Sequence, residues 1–171
     1  MVAKKNYQTS IGIPMSWDEF QRSIAADLII QKIQHNTVKG INRYGNSFPS
    51  YSNEYKHSQD FALAGKSTRV DLQSTGDMLA SIELISSKPG IIVIGYPEGS
   101  SLAGQVEGNQ IGSYGDSKGH SSSARPFLGL PQDQLDFIIA KVNSESNQLQ
   151  AKTAFTAGII QALLGKVNTN G

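Results

Sequence analysis

The sequence predicts an α+β domain, a small antiparallel sheet packed with a long N-terminal helix and with C-terminal helices, and carrying long loops that become ordered on assembly. Three observations predict it. Apolar residues recur at helical spacing behind a capping signal at Ser16. Two β-branched runs, residues 82–86 and 91–96, flank a turn containing Pro and Gly. Two more helical stripes follow Pro131. No internal repeat is visible, and the chain divides into an N-terminal arm (1–15), one domain (16–147) and a helical extension (148–171).

Ser16-Trp-Asp-Glu19 has the form of a capping box: the serine hydroxyl accepts the third helical amide while the glutamate reaches back to the cap. Trp17, Phe20, Ile24 and Leu28, widened by Ile29 and Ile33, then predict a helix from about Trp17 to Lys39, stopped by Gly40. Residues 41–69 lose all periodicity and are rich in Asn, Ser, Gly and Tyr. A loop of that length in a compact domain is expected to be functional or ordered by a partner. Its aromatics, Tyr44, Phe48, Tyr51 and Tyr55, need a surface to pack on, either their own domain or a neighbouring subunit.

Val70-Asp-Leu72 reads as a short strand, and Thr75 as the N-cap of a brief helix through Met78, Leu79 and Ile82. The two β-branched runs around Ser87-Lys-Pro-Gly90 make a hairpin whose apolar face suits the long helix. From Glu98 to Ser123 Gly and Ser dominate, with a short helix around Leu102–Gln110. Pro126 then holds Arg125 extended, and Phe127, Leu128 and Leu130 form a compact apolar plug. Pro131 suits a first helical turn, with Leu135, Ile138, Ile139 and Val142 as the buried stripe. A last helical stretch carries Phe155, Ile159, Ile160, Leu163 and Leu164, interrupted by Gly158 and ending near Gly165.

Composition excludes several chemistries. The 171 residues include no cysteine, which removes disulfides, thiolate metal sites and a Cys nucleophile. His35, His57 and His120 are far apart, and no H-E-x-x-H frame exists, so neither a metal nor a cofactor is expected. Fifteen basic and fourteen acidic residues give a net charge of +1, without the basic footprint of tight nucleic-acid binding. The tyrosines near Arg43 and Lys56 offer at most a stacking platform for single strands. No apolar run reaches the roughly 18 residues of a membrane span, and no secretory signal follows Met1, so a soluble protein is expected.

Gly65-Lys-Ser-Thr68 imitates a phosphate-binding loop, but the first glycine of that motif is replaced by Asp60 and no apolar strand precedes it. No Gly-x-Ser-x-Gly elbow occurs, and no pair of carboxylates stands out as an acid–base couple. No catalytic residue is assigned, and the chain is not expected to be an enzyme.

Two segments resemble a known family. Gly45-x-x-Phe48-x-x-Tyr51-Ser52-x-x-Tyr55, followed by Val70-Asp-Leu72-x-x-Thr75-Gly76-Asp77-Met78-Leu79-x-Ser81-Ile82, is similar to the early pattern of the neck, tail-completion and head–tail joining proteins of tailed bacteriophages. Ala124-Arg125-Pro126-Phe127-Leu128-Gly129-Leu130 resembles their late signature, which also precedes a helix. The likeness covers about residues 41–145.

It implies a structural virion protein that forms a homo-oligomeric ring at the head–tail junction and lets DNA pass without sequence-specific binding. The implied partners are further copies of itself, a head–tail connector or head-completion protein, and a tail terminator or tail tube protein. Assembly in the host cytoplasm and no membrane contact go with that reading. A tail terminator or minor tail protein is the runner-up, and a nucleotide-binding hydrolase a distant third. Candidate contact residues are Phe48, Tyr51, Tyr55, Arg125, Phe127 and Leu128. For Phe127, Leu128 and Leu130, an anchoring role and an ordinary core role both stay open.

Overall fold

A computed structural model describes residues 7–63, 65, 70, 72, 76–112 and 123–167. The order is β1 (Gln8–Gly12), α1 (Glu19–Val38), two short helices α2 (Asn53–Lys56) and α3 (Gln59–Leu63), α4 (Asp77–Ala80), β2 (Glu83–Lys88), β3 (Ile91–Gly95), α5 (Ala103–Ile111) and α6 (Gln132–Val167). A three-stranded antiparallel sheet with helices against it makes the fold α+β.

The hairpin forms where the β-branched runs predict it. Pro89 and Gly90 connect β2 to β3, and Gly90 takes a φ of 82°, the value a type II turn demands of its third residue. A bulge between Leu84 and Ser86 interrupts the ladder. β3 is the central strand, because β1 pairs with its other edge from Gln8↔Gly95 to Gly12↔Ile91. Residues 8–12 therefore belong to the sheet, although the sequence places them in an arm. Only Thr9 and Ile11 of β1 point inward, too short an alternation to reveal a strand.

Strand β1 lies tightly on β3. A Cβ on Gly95 would sit 2.3 Å from the Tyr7 carbonyl oxygen, and Gly95 adopts a φ of 143°. The Tyr96 amide donates to that same carbonyl, and Gln8 donates its side-chain amide to the Tyr96 carbonyl.

Helix α1 covers the inner sheet face, where Ile11, Ile92 and Ile94 are buried. Its cap is Asp18, not Ser16: the Asp18 carboxylate accepts the Gln21 amide, and the Gln21 side chain accepts the Asp18 amide. The buried face is Ala25, Ala26, Ile29, Ile33, Asn36 and Thr37. Phe20, expected in the stripe, is 59% exposed, because nine residues at 100° each place it opposite Ile29. The helix stops as Gly40 requires. The Gly40 amide donates to the Thr37 carbonyl and the Ile41 amide to the Asn36 carbonyl, the paired bonds of a Schellman motif.

Val70 is buried and Leu72 half-buried, but neither lies in a strand, and Asp71 is outside the described residues. Thr75, expected to cap α4, is also outside them; Gly76, with a φ of 84°, occupies the cap position without a side-chain bond. Helix α5 matches the weak helical signal near 102–110 and ends at Gly112. Helix α6 runs unbroken through Gly158 and past Gly165, so the domain and the expected extension share one helix. Pro131 immediately precedes its first residue.

Candidate interaction site

The residues 124–130 are threaded between α5 and the turn after α1. The Arg125 amide donates to the Asn109 carbonyl at 2.6 Å, the Phe127 amide to the Gln110 side-chain oxygen at 2.9 Å, and the Arg43 amide to the Pro126 carbonyl at 2.8 Å. Gly129 has a φ of 133°, and a Cβ there would meet the Arg43 guanidinium at 3.2–3.3 Å. The opposing turn is fixed by Asn42, whose side-chain oxygen accepts the Tyr44 and Asn46 amides.

That threading buries Phe127 and Leu128 completely, and Leu130 and Phe48 almost so, in the same cluster as Ile33, Ile94 and Val142. The apolar plug is thus part of the core immediately ahead of α6, an arrangement common to both roles open for it. Three of the six candidate contact residues, Phe48, Phe127 and Leu128, are thus held inside their own domain and offer no surface to a partner.

The other three meet one another. Tyr51 and Tyr55 have ring centroids 5.3 Å apart, and Phe61 packs edge-on against both, at 5.7 and 5.4 Å. The Arg125 guanidinium carbon lies 5.3 Å from the Tyr51 ring centre. Helix α2 holds these rings: Ser52 caps it by accepting the Tyr55 amide, and the Ser58 hydroxyl donates to the Tyr55 carbonyl and accepts the Phe61 amide. Arg125 is 9% exposed, and its Nε–H has no acceptor. Burial pushes its pKa down, and the nearby Tyr51 and Tyr55 oppose that shift. A guanidinium dissolved among aromatic faces is a packing device: it gains cation–π attraction while most of its surface leaves water.

Phe61 completes this cluster, and sequence reasoning missed it. Its spacing from Tyr51 and Tyr55 carries no helical signal, because Ser58 breaks the run into two short helices. These three rings are half-buried and packed edge-on and tilted, whereas Tyr44 is 66% exposed with Arg43 over its ring at 5.6 Å.

Two open grooves flank the contact between α1 and α6. One is lined by Leu28, Lys32, His35, Asp133, Phe137 and Lys141. The other lies between Phe20 and Ile24 on α1 and Val142, Leu149 and Lys152 on α6. Titratable side chains line both, His35 and Asp133 in the first and Glu145 and Lys152 in the second. Among the described residues no group of three His, Asp or Glu side chains is placed to hold a metal ion. Residues 66–68 of the Gly65-Lys-Ser-Thr68 segment lie outside the described residues. No helix among the described residues is long and apolar enough to cross a membrane. Compared with family models, curated proteins and solved structures, the chain matches none.

Proposed function

We propose that this chain is a structural subunit of the neck of a tailed bacteriophage, forming a homo-oligomeric ring at the head–tail junction through which DNA passes. One observation supports the reading most. The two sequence boxes that carry the resemblance, one around Tyr51 and the other beginning at Ala124, are in direct contact through the Arg125–Tyr51 stack. Boxes far apart in sequence that build one packing unit are what a shared fold requires, whereas coincidental likenesses have no reason to meet. The role is scaffolding: the late box threads the core and launches α6, while the early box clamps it from outside.

The test is to image purified particles by cryo-electron microscopy and trace this chain into the density. A ring between portal and tail tube is the expected result. Density at the end of the tube would move the chain to a tail terminator or minor tail protein. Absence from the particle would overturn both virion readings and make nucleotide binding at Gly65-Lys-Ser-Thr68 the next assay.

A further inference from the structure

The two grooves beside the α1–α6 contact form one valley. At about 100° per residue, Phe20, Ile24, Leu28 and His35 fall within an arc of about 80° on α1. By the same rule Phe137, Lys141, Gln148 and Lys152 fall within about 60° on α6. The two helices run antiparallel here: Asn36 donates to Gln134 near one end, and Phe20 shares the far groove with Leu149 and Lys152. From Asp133 to Lys152 the α6 wall is about 29 Å long.

The valley is apolar along its floor and rims. Ile138 and Val142 are buried in it, whereas Phe20, Phe137 and Leu149 stand 59%, 70% and 53% exposed. Single exposed apolar side chains are ordinary, but three large ones along one concave strip mark a contact surface. A valley between two packed helices is the shape that receives the side-chain ridge of a third. Its charge is equally specific. Glu145 is met by Lys141 at 3.9 Å, and Asp133 lies at the His35 end. That leaves Lys32 on the α1 wall and Lys152 on the α6 wall, neither of them in an ion pair among the described residues.

We infer that this valley is the docking site for an amphipathic α-helix of a partner protein, apolar along the stripe that enters and acidic along both flanks. Carboxylates on such a helix answer the two lysines while its apolar stripe covers the phenylalanines. Nucleic-acid phosphates would answer only the lysines. Two copies laid valley to valley would bring four unpaired lysines into one apolar contact, an arrangement like-charge repulsion opposes. Residues 1–6 and 113–122, which lie outside the described residues, hold one carboxylate, Asp116, against Lys4, Lys5 and Lys118, so neither is such a helix. The inference needs only α1 and α6. Its failure would leave the neck reading standing, and particle imaging tests that reading separately.

The probe is a fluorescent synthetic helix of about 18 residues, the length of the valley, with Leu along one stripe and Glu on both flanks. A second peptide carries Lys for Glu, and a third keeps the composition of the first with its stripe scrambled. Titrated against the full chain by fluorescence anisotropy, the Glu peptide is expected to bind at least about tenfold tighter than either, and to weaken as salt is raised. Phe137→Ser is expected to weaken it at least about tenfold with melting unchanged, while Leu63→Ser, at a residue 78% exposed on α3, leaves it as it was. Lys32→Glu combined with Lys152→Glu is expected to reverse the preference in favour of the Lys peptide. Equal binding of all three peptides, or of none, overturns the inference. Self-association of the wild-type chain that Phe137→Ser abolishes overturns it and assigns the valley to a second copy. Binding of a single-stranded oligonucleotide in place of the Glu peptide overturns it and assigns the valley to nucleic acid.

Discussion

The two halves of α6 share one helix but not one environment. In the first, Ile138 and Val142 are buried on α1, and Asn36 on α1 donates to Gln134 at 2.8 Å. In the second, Leu149 and Phe155 stand mostly in water. The difference teaches that a helical stripe reports a capacity to be covered and says nothing of what covers it. The cover is set by where another element ends, here at the Asp18 cap.

The comparison breaks most severely at its anchored end. Phe127→Ala, removing a side chain that is 1% exposed, is expected to cost about 3–5 kcal/mol in chemical denaturation and to detach the start of α6. Ile138→Ala in the covered half is expected to cost about 2–5 kcal/mol by the same measurement. Asn143→Ala leaves the indole N–H of the buried Trp17 without its acceptor, a loss of about 1–3 kcal/mol readable as a lower melting temperature.

Alkali probes the covered region differently. Tyr96 is fully buried, its hydroxyl donates to the Met78 carbonyl, and burial pushes its pKa well above the ordinary 10.0. The unfolded chain ionises first, so stability is intact below pH 10 and falls by about 1.4 kcal/mol per pH unit above it. Tyr96→Phe is expected to flatten that slope in denaturation curves taken between pH 9 and 11. At the small end, Phe155→Ala in the uncovered half is expected to change domain stability by less than about 0.5 kcal/mol. A large loss there would mean that the outer half is packed in the isolated chain after all.

Much of the fold was legible because its signals are local. Gly40 ends α1 through bonds spanning five residues or fewer, and Pro89-Gly90 turns the hairpin by its own backbone preference. What escaped reading depends on distant partners. Asp18 rather than Ser16 caps α1, two good capping residues two positions apart, and Trp17 between them is buried. Strand β1 is a strand only because β3 has a free edge for it. The candidate site divides in the same way. Its residues were nameable from the two boxes, but the Arg125–Tyr51 stack and the burial of Phe48, Phe127 and Leu128 are products of threading that no spacing rule encodes.

The close seat of Gly95 under Tyr7 carries a consequence for how the chain folds. The β2–β3 hairpin closes over a two-residue turn, an event of about 1–10 microseconds. The other edge of β3 is reached only when Gln8 finds Tyr96, 88 residues away, after the intervening chain has condensed enough to make that loop closure affordable. Of the three strands of this sheet, the one earliest in the chain is thus the one that must wait longest for its place.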